Sequence, residues 1–160
     1  MSHYETAVVC RNGHVVTSGR ETSPELAAPH CPQCGMPTVS ACAGCGASIR
    51  GDYIVSGVIG SWSVYHPPGY CHHCGVPYPW TQAATEAWRK MAQDAEGLTD
   101  DEKQKLAASI DDLISDTPRT ALAIQHTKRF FSKMAGAVPG MMKEVLVSMA
   151  TEAARKGLGL

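Results

Sequence analysis

Three pairs of cysteines share one spacing: Cys31-Pro-Gln-Cys34-Gly, Cys42-Ala-Gly-Cys45-Gly and Cys71-His-His-Cys74-Gly. A tight turn inside each pair aims two sulfurs at one ion, and the following glycine supplies the positive φ that closes the knuckle. The seventh cysteine, Cys10, precedes Asn12-Gly13 and His14, so a turn brings a sulfur and an imidazole together as a fourth pair. Seven thiolates and one imidazole satisfy two tetrahedral zinc ions. The expected chemistry is metal binding: Cys10, His14, Cys31, Cys34, Cys42, Cys45, Cys71 and Cys74 as the ligands of two Zn2+ per chain.

Taken in chain order, the pairs make one site of Cys10, His14, Cys31 and Cys34 and a second of Cys42, Cys45, Cys71 and Cys74. The intervals between pairs, 16 and 25 residues, suit zinc ribbons with a short hairpin between knuckles. An interleaved cross-brace, joining Cys10 and His14 to Cys42 and Cys45, and Cys31 and Cys34 to Cys71 and Cys74, uses the same ligands. His30, beside Cys31, is the rival to His14; His72 and His73 sit inside a knuckle and are expected to face solvent or support the ligands. A thioredoxin-like redox pair needs a βαβ context that the surrounding sequence lacks. Four protein ligands close a zinc site, whereas a catalytic zinc keeps a position open, and thiolate charge blunts Lewis acidity. Neither the H-E-x-x-H pattern nor the zinc-deaminase arrangement occurs, nor does a G-x-S-x-G elbow or a phosphate loop. The zincs are expected to be structural and the protein not an enzyme.

The elements that must hold these ligands divide the chain in two. Of its 160 residues, all seven cysteines and eight of ten prolines precede Thr81. Residues 1–80 read as a small zinc-stabilised β-rich module of two zinc ribbons, whose core is too poor in large aliphatics to fold without metal. Within it, Ile49 to Tyr65 is β-branched and aromatic, punctuated by Gly57 and Gly60, and reads as a two-stranded hairpin, with Gly51 of Arg50-Gly51-Asp52 as a turn. Residues 81–160 read as an all-α region of three to four short helices. The first is capped by Thr81 and runs to about Ala95, with Ala84, Trp88, Met91 and Ala95 on one face. Thr99 to Glu102 is a capping box ahead of Leu106, Ile110 and Leu113. Asp116-Thr117-Pro118 starts a third helix with Ile124, Phe131 and Met134 inward, and a fourth, with Met142, Leu146 and Met149, runs from the Gly136–Gly140 break to about Lys156.

The formal net charge of −1 conceals an asymmetry. Residues 99–116 carry six acids and two bases, residues 117–160 seven bases and two acids. The plain reading is that these segments neutralise each other. The sharper one is that Lys128, Arg129, Lys133 and Lys143, beside Phe130 and Phe131, meet an acidic partner, nucleic acid or a membrane surface peripherally. Residues 1–80 hold only Arg11, Arg20 and Arg50 against Glu5, Glu21, Glu25 and Asp52. Seven thiolates on two Zn2+ take that module to about −4, a poor platform for phosphate. Tyr53, Trp62, Tyr65, Tyr70, Tyr78 and Trp80 would instead serve as protein-binding anchors, less those that form a small core around the second zinc. A protein-interaction adaptor therefore ranks first, a nucleic-acid-binding ribbon using the basic C-terminal helices second, and a cross-brace ubiquitin-ligase-like module third. No apolar stretch is long enough to span a bilayer and no signal-peptide pattern opens the chain, so a cytoplasmic location is expected.

Cys10-x-Asn-Gly-His14, Ser23-Pro-Glu-Leu26, the three C-x-x-C-G knuckles, Ile49-Arg-Gly-Asp-Tyr53, Pro67-Pro-x-Tyr70, Leu98-Thr-Asp-Asp-Glu102 and Asp116-Thr-Pro118 together resemble a bacterial family of double zinc-ribbon proteins of unknown function with a C-terminal helical region. The resemblance spans nearly the whole chain. It implies a bacterial origin and paired metal sites on the eight residues already named, and no activity.

Overall fold

A computed structural model describes residues 2–57 and 64–160. The chain divides into two compact units, Met1–Gln82 and Ala83–Leu160. The first contains short antiparallel strands: β1 (His3–Thr6), β2 (Val8–Cys10), β3 (Val15–Thr17), β4 (Thr38–Val39) and β5 (Arg50–Ile54). β2 lies between β3 and β4, while β1 pairs with β5, placing Tyr4 opposite Tyr53. Its apolar core is small: Ala7, Val9, Ile49 and Tyr78 packed with the Cys42 and Cys71 side chains.

The first strand expected after Ile49 is present as β5, but its partner is β1 rather than the other arm of a hairpin. The rest of that expected hairpin, including Trp62, falls on residues 58–63, outside the described residues, and Tyr65 lies in no strand. Gly51 is not a turn residue either. It is buried within β5, and a Cβ there would stand 1.9 Å from the Ser18 carbonyl oxygen, where the two backbones meet. Gly51→Ala should therefore destabilise the metal-loaded unit by about 1–3 kcal/mol, toward the upper end because backbone rather than a side-chain tip must move. Denaturant unfolding would measure it, and an unchanged midpoint would contradict the close approach.

The helices are α1 (Pro79–Asp94), α2 (Asp100–Leu113), α3 (Thr120–Lys133), α4 (Val138–Met149) and α5 (Glu152–Leu158). Five replace the expected three or four because Ala150 turns extended and the Thr151 side chain accepts from the Ala154 amide, opening a separate helix. Thr81 does not cap α1. Proline is tolerated in a first helical turn, so the helix begins at Pro79, and the Thr81 hydroxyl donates instead to the Gly69 carbonyl, 2.8 Å away. The buried face of α1 runs through Thr85, Trp88, Ala92 and onward to Ala95, with Met91 at its margin. Leu106, Ile110, Leu113, Met142 and Leu146 are fully buried as their spacing requires; on α3 Phe130 is buried more deeply than Phe131.

Thr99 and Glu102 form the capping box: the Glu102 amide donates to the Thr99 hydroxyl at 3.3 Å, and the Thr99 amide to the Glu102 carboxylate at 3.1 Å. Glu102 also pairs with Lys133, and Asp112 with Arg119 at 3.1 Å, so two ion pairs join the acidic segment to the basic one within the helical unit. The Lys133 ammonium, then the Thr99 amide, hold the Glu102 carboxyl below its ordinary value. A lowered folded value means this contribution is present above the ordinary carboxylate pKa and is lost as pH falls through the depressed one. Thr99→Ala should cost about 1 kcal/mol and keep most of that acid-side slope, since Lys133 and the backbone amide remain, whereas Glu102→Gln should remove it, read from thermal melts of the helical signal across about pH 3–6.

Candidate metal centres

The three knuckles are built alike. In each, the glycine amide donates to the first cysteine carbonyl: Gly35 to Cys31 at 2.8 Å, Gly46 to Cys42 at 2.8 Å and Gly75 to Cys71 at 2.9 Å. The first cysteine's amide donates to the residue after that glycine, Met36, Ala47 or Val76, at 2.8–2.9 Å. The glycines take φ of +70°, +74° and +74°, a conformation costly for any residue with a Cβ. The fourth pair sits at the β2–β3 reversal. The Cys10 amide donates to the His14 carbonyl and the Gly13 amide to the Cys10 carbonyl, each at 2.9 Å, with Gly13 at φ +90°.

The donor atoms of Cys10, His14, Cys31 and Cys34 lie within 4.8 Å of one another, as do those of Cys42, Cys45, Cys71 and Cys74. All eight residues expected as ligands thus fall into two groups of four, in chain order. The interleaved cross-brace does not match this grouping, and the ubiquitin-ligase-like reading that needs it falls with it. His14 presents Nδ1, 3.5 Å from Cys10 Sγ and 3.7 Å from Cys31 Sγ, while Cys10 and Cys34 sulfurs are 3.8 Å apart. In the second group Cys42 and Cys74 sulfurs stand 3.7 Å apart and Cys45 and Cys71 sulfurs 3.6 Å apart. A zinc tetrahedron with bonds of about 2.3 Å to sulfur and 2.0–2.1 Å to nitrogen has edges of about 3.8 Å between sulfurs and about 3.5 Å between sulfur and nitrogen. The edges match, so both groups are positioned to bind a metal ion. His30 instead bridges Pro37, and the exposed His72 and His73 belong to neither group.

Hydrogen bonds already point at the sulfurs. The His14 amide reaches Cys10 Sγ at 3.3 Å, the His73 amide Cys71 Sγ at 3.4 Å and the Asn12 side-chain amide Cys34 Sγ at 3.6 Å. The Cys74 and His73 amides draw the Cys71 thiol down to about 6. Cys45 is pulled down by the Ala47 amide, but desolvation and its three neighbouring thiols outweigh this and push it up to about 12. Four thiolates so close repel one another, and a divalent cation is what allows all four to ionise together.

Two supporting residues are not legible in the sequence. Asn12 read only as half of an Asn-Gly turn, although its short amide one turn from Cys10 was the available signal. Tyr78 was one of six anchors or core residues; in the structure it is 3% exposed against Cys42 and Cys71, with Trp80 stacked on it at 4.7 Å.

If His14 is the fourth ligand of the first group, His14→Ala should lower bound zinc from two per chain to about one, whereas His14→Cys, which restores a fourth donor, should keep two. Metal analysis after desalting reads this directly; two zincs in the alanine variant would remove His14 from the ligand set.

A family model described as "Uncharacterized protein conserved in bacteria (DUF2321)" matches residues 3–158. No curated protein and no solved structure matches the chain.

Proposed function

We propose that this chain, which belongs to that conserved bacterial family, is a non-catalytic adaptor in which two structural zinc ions hold a protein-binding surface. The observation that carries the zinc assignment is the convergence of eight donors into two closed sets of four at tetrahedral edge lengths. Closed sets leave no position for substrate, which supports a structural rather than catalytic role.

The surface is the β1–β5 ribbon. Tyr4 and Tyr53 are each 51% exposed with ring centroids 4.8 Å apart, and the Arg50 guanidinium lies 4.8 Å over the Tyr4 ring. Tyrosine and arginine are the residue types that dominate binding hot spots, and the tilted ring contact with the guanidinium above it holds these side chains in place before a partner arrives. Of the aromatics singled out earlier, Tyr78 and Trp80 pack beside the second metal group and Tyr65 donates its hydroxyl to the Arg50 carbonyl. Tyr53 and Tyr70 remain exposed, and Tyr4 joins them.

With both zincs the module carries about −4, so its partner is a protein with a basic face. Charge speaks against nucleic acid: this unit has three arginines, and of the C-terminal bases Arg119 and Lys133 are spent on ion pairs. Among the described residues no helix is long and apolar enough to cross a membrane. The test is affinity capture with the zinc-loaded full chain after nuclease treatment. A partner retained by the natural sequence and lost from the Tyr4→Ala/Tyr53→Ala double variant, whose zinc content stays at two, is the expected result. Recovery of nucleic acid with a steep salt dependence would overturn it.

A further inference from the structure

The Tyr78 hydroxyl is the one buried side-chain polar atom, among the described residues, with no hydrogen-bond partner. An orphaned buried donor costs as much as a lost hydrogen bond, so such a group calls for an acceptor. Tyr78 follows directly on the last knuckle. Its amide donates to the Gly69 carbonyl at 3.0 Å, its carbonyl accepts from the Gln82 amide at 3.1 Å, and its ring is stacked on Trp80 at an interplanar angle of 16°. Backbone and ring are therefore both fixed, and the side chain packs in one cluster with Ala7, Val9, Ile49 and the Cys42 and Cys71 sulfur-bearing side chains.

We propose that the Tyr78 hydroxyl donates a hydrogen bond to the Cys71 thiolate of the second metal centre and so raises the metal affinity of that centre. This rests on reading Cys42, Cys45, Cys71 and Cys74 as a zinc site. A neutral thiol is a weak acceptor, whereas a metal-bound thiolate in a four-sulfur set that carries two net negative charges is a strong one. A phenol keeps its proton in neutral solution and so serves as the donor. Cys71 already takes the His73 amide, and a second donor on the same sulfur spreads its charge further. The first centre has its own counterpart in the Asn12 side chain on Cys34, so each metal group would carry one side-chain donor outside its ligands.

Tyr78→Phe removes only the hydroxyl. In competition against a chromogenic chelator, with the full chain loaded with two zincs, the variant should lose about tenfold in affinity at the second centre and nothing at the first. In the cobalt-loaded form its sulfur-to-metal charge-transfer band should move to lower energy, because the sulfur lone pair loses its stabilising proton, while the ligand-field bands that report the tetrahedral geometry stay in place. An unchanged affinity and an unchanged band overturn the proposal while leaving two zincs per chain intact. A natural-sequence protein that binds no second metal overturns the zinc reading itself, which is a different failure. Should the phenylalanine variant not fold, the natural protein loaded with cadmium-113 still decides: a slowly exchanging Tyr78 hydroxyl proton with scalar coupling to cadmium supports the bond, and the lack of such a coupled resonance overturns it.

Discussion

Removing the metal at neutral pH is expected to unfold residues 1–82 and leave the helices beyond them folded. The N-terminal unit has too little else to hold it: strands of two to five residues and a core of Ala7, Val9, Ile49 and Tyr78 completed by two of its own cysteines. Structural zinc in small domains supplies apparent binding free energies of about 10–16 kcal/mol at pH 7. That is comparable to the whole stability of an ordinary domain, about 5–15 kcal/mol. The helical unit draws on a separate cluster that includes Trp88, Leu106, Ile110, Leu113, Met142 and Leu146 and contains no cysteine. With excess chelator, far-ultraviolet circular dichroism should keep most of its helical signal. The amide resonances of the strands should collapse, and protease should cut within the first unit. Zinc added back should reverse all three. Strand resonances that survive complete metal loss would show that this core folds unaided.

Protons compete for the same sulfurs, which fixes the sign of the pH effect. Each ligand must be deprotonated to bind, so metal retention is complete in neutral solution and falls as pH falls. The His73 amide on Cys71 Sγ favours that anion, and four sulfurs this close cannot all stay ionised once the ion leaves. Release on acidification should therefore be cooperative, with unfolding of the first unit following it.

The metal groups were legible in the sequence for a local reason. A C-x-x-C-G knuckle is decided within six residues, and the hydrogen bonds from Cys31 to Met36, Cys42 to Ala47 and Cys71 to Val76 are all of that range. Pairing of the knuckles was not local; chain order and the interleaved arrangement use the same residues, and only the fold separates them. Gly51 shows the same limit from the other side. Its need for no Cβ comes from Ser18, far away in sequence, and nothing near Arg50 reports that approach. The alternation after Ile49 was correctly a strand, but its partner is nearly fifty residues upstream, a pairing that periodicity does not encode. Thr81 likewise had the side chain of a cap, yet Pro79 could open the helix earlier and Gly69 offered its hydroxyl a carbonyl. In the helical unit the pattern was more faithful, because i, i+4 and i, i+7 spacing places Leu106, Ile110 and Leu113 on one face whatever they pack against.

Trp88→Ala should produce the complementary failure, costing about 3–5 kcal/mol and unfolding the helices while both metals stay bound. Trp88 is fully buried, its indole nitrogen donates to the Leu106 carbonyl at 2.8 Å, and its ring lies 6.1 Å from Phe131. One side chain thus ties α1 to α2 by a hydrogen bond and to α3 by ring contact. Truncation removes the largest volume in this core and leaves a cavity that three helices cannot all close on. A domain of this size shifts its melting point by about 4–8 °C per kcal/mol, so the helical transition should fall by well over 10 °C. Trp88→Phe separates the two contributions: it keeps most of the volume and loses the donor, and should cost nearer 1 kcal/mol from the hydrogen bond, plus a smaller packing loss. Metal analysis of Trp88→Ala should still return two zincs per chain, because no ligand lies beyond Cys74. A variant that loses helix and metal together would show that the two units stand or fall as one. Helix lost with zinc retained, set against zinc lost with helix retained, establishes two separate sources of stability in one chain: coordinate bonds in the first unit and buried apolar volume in the second.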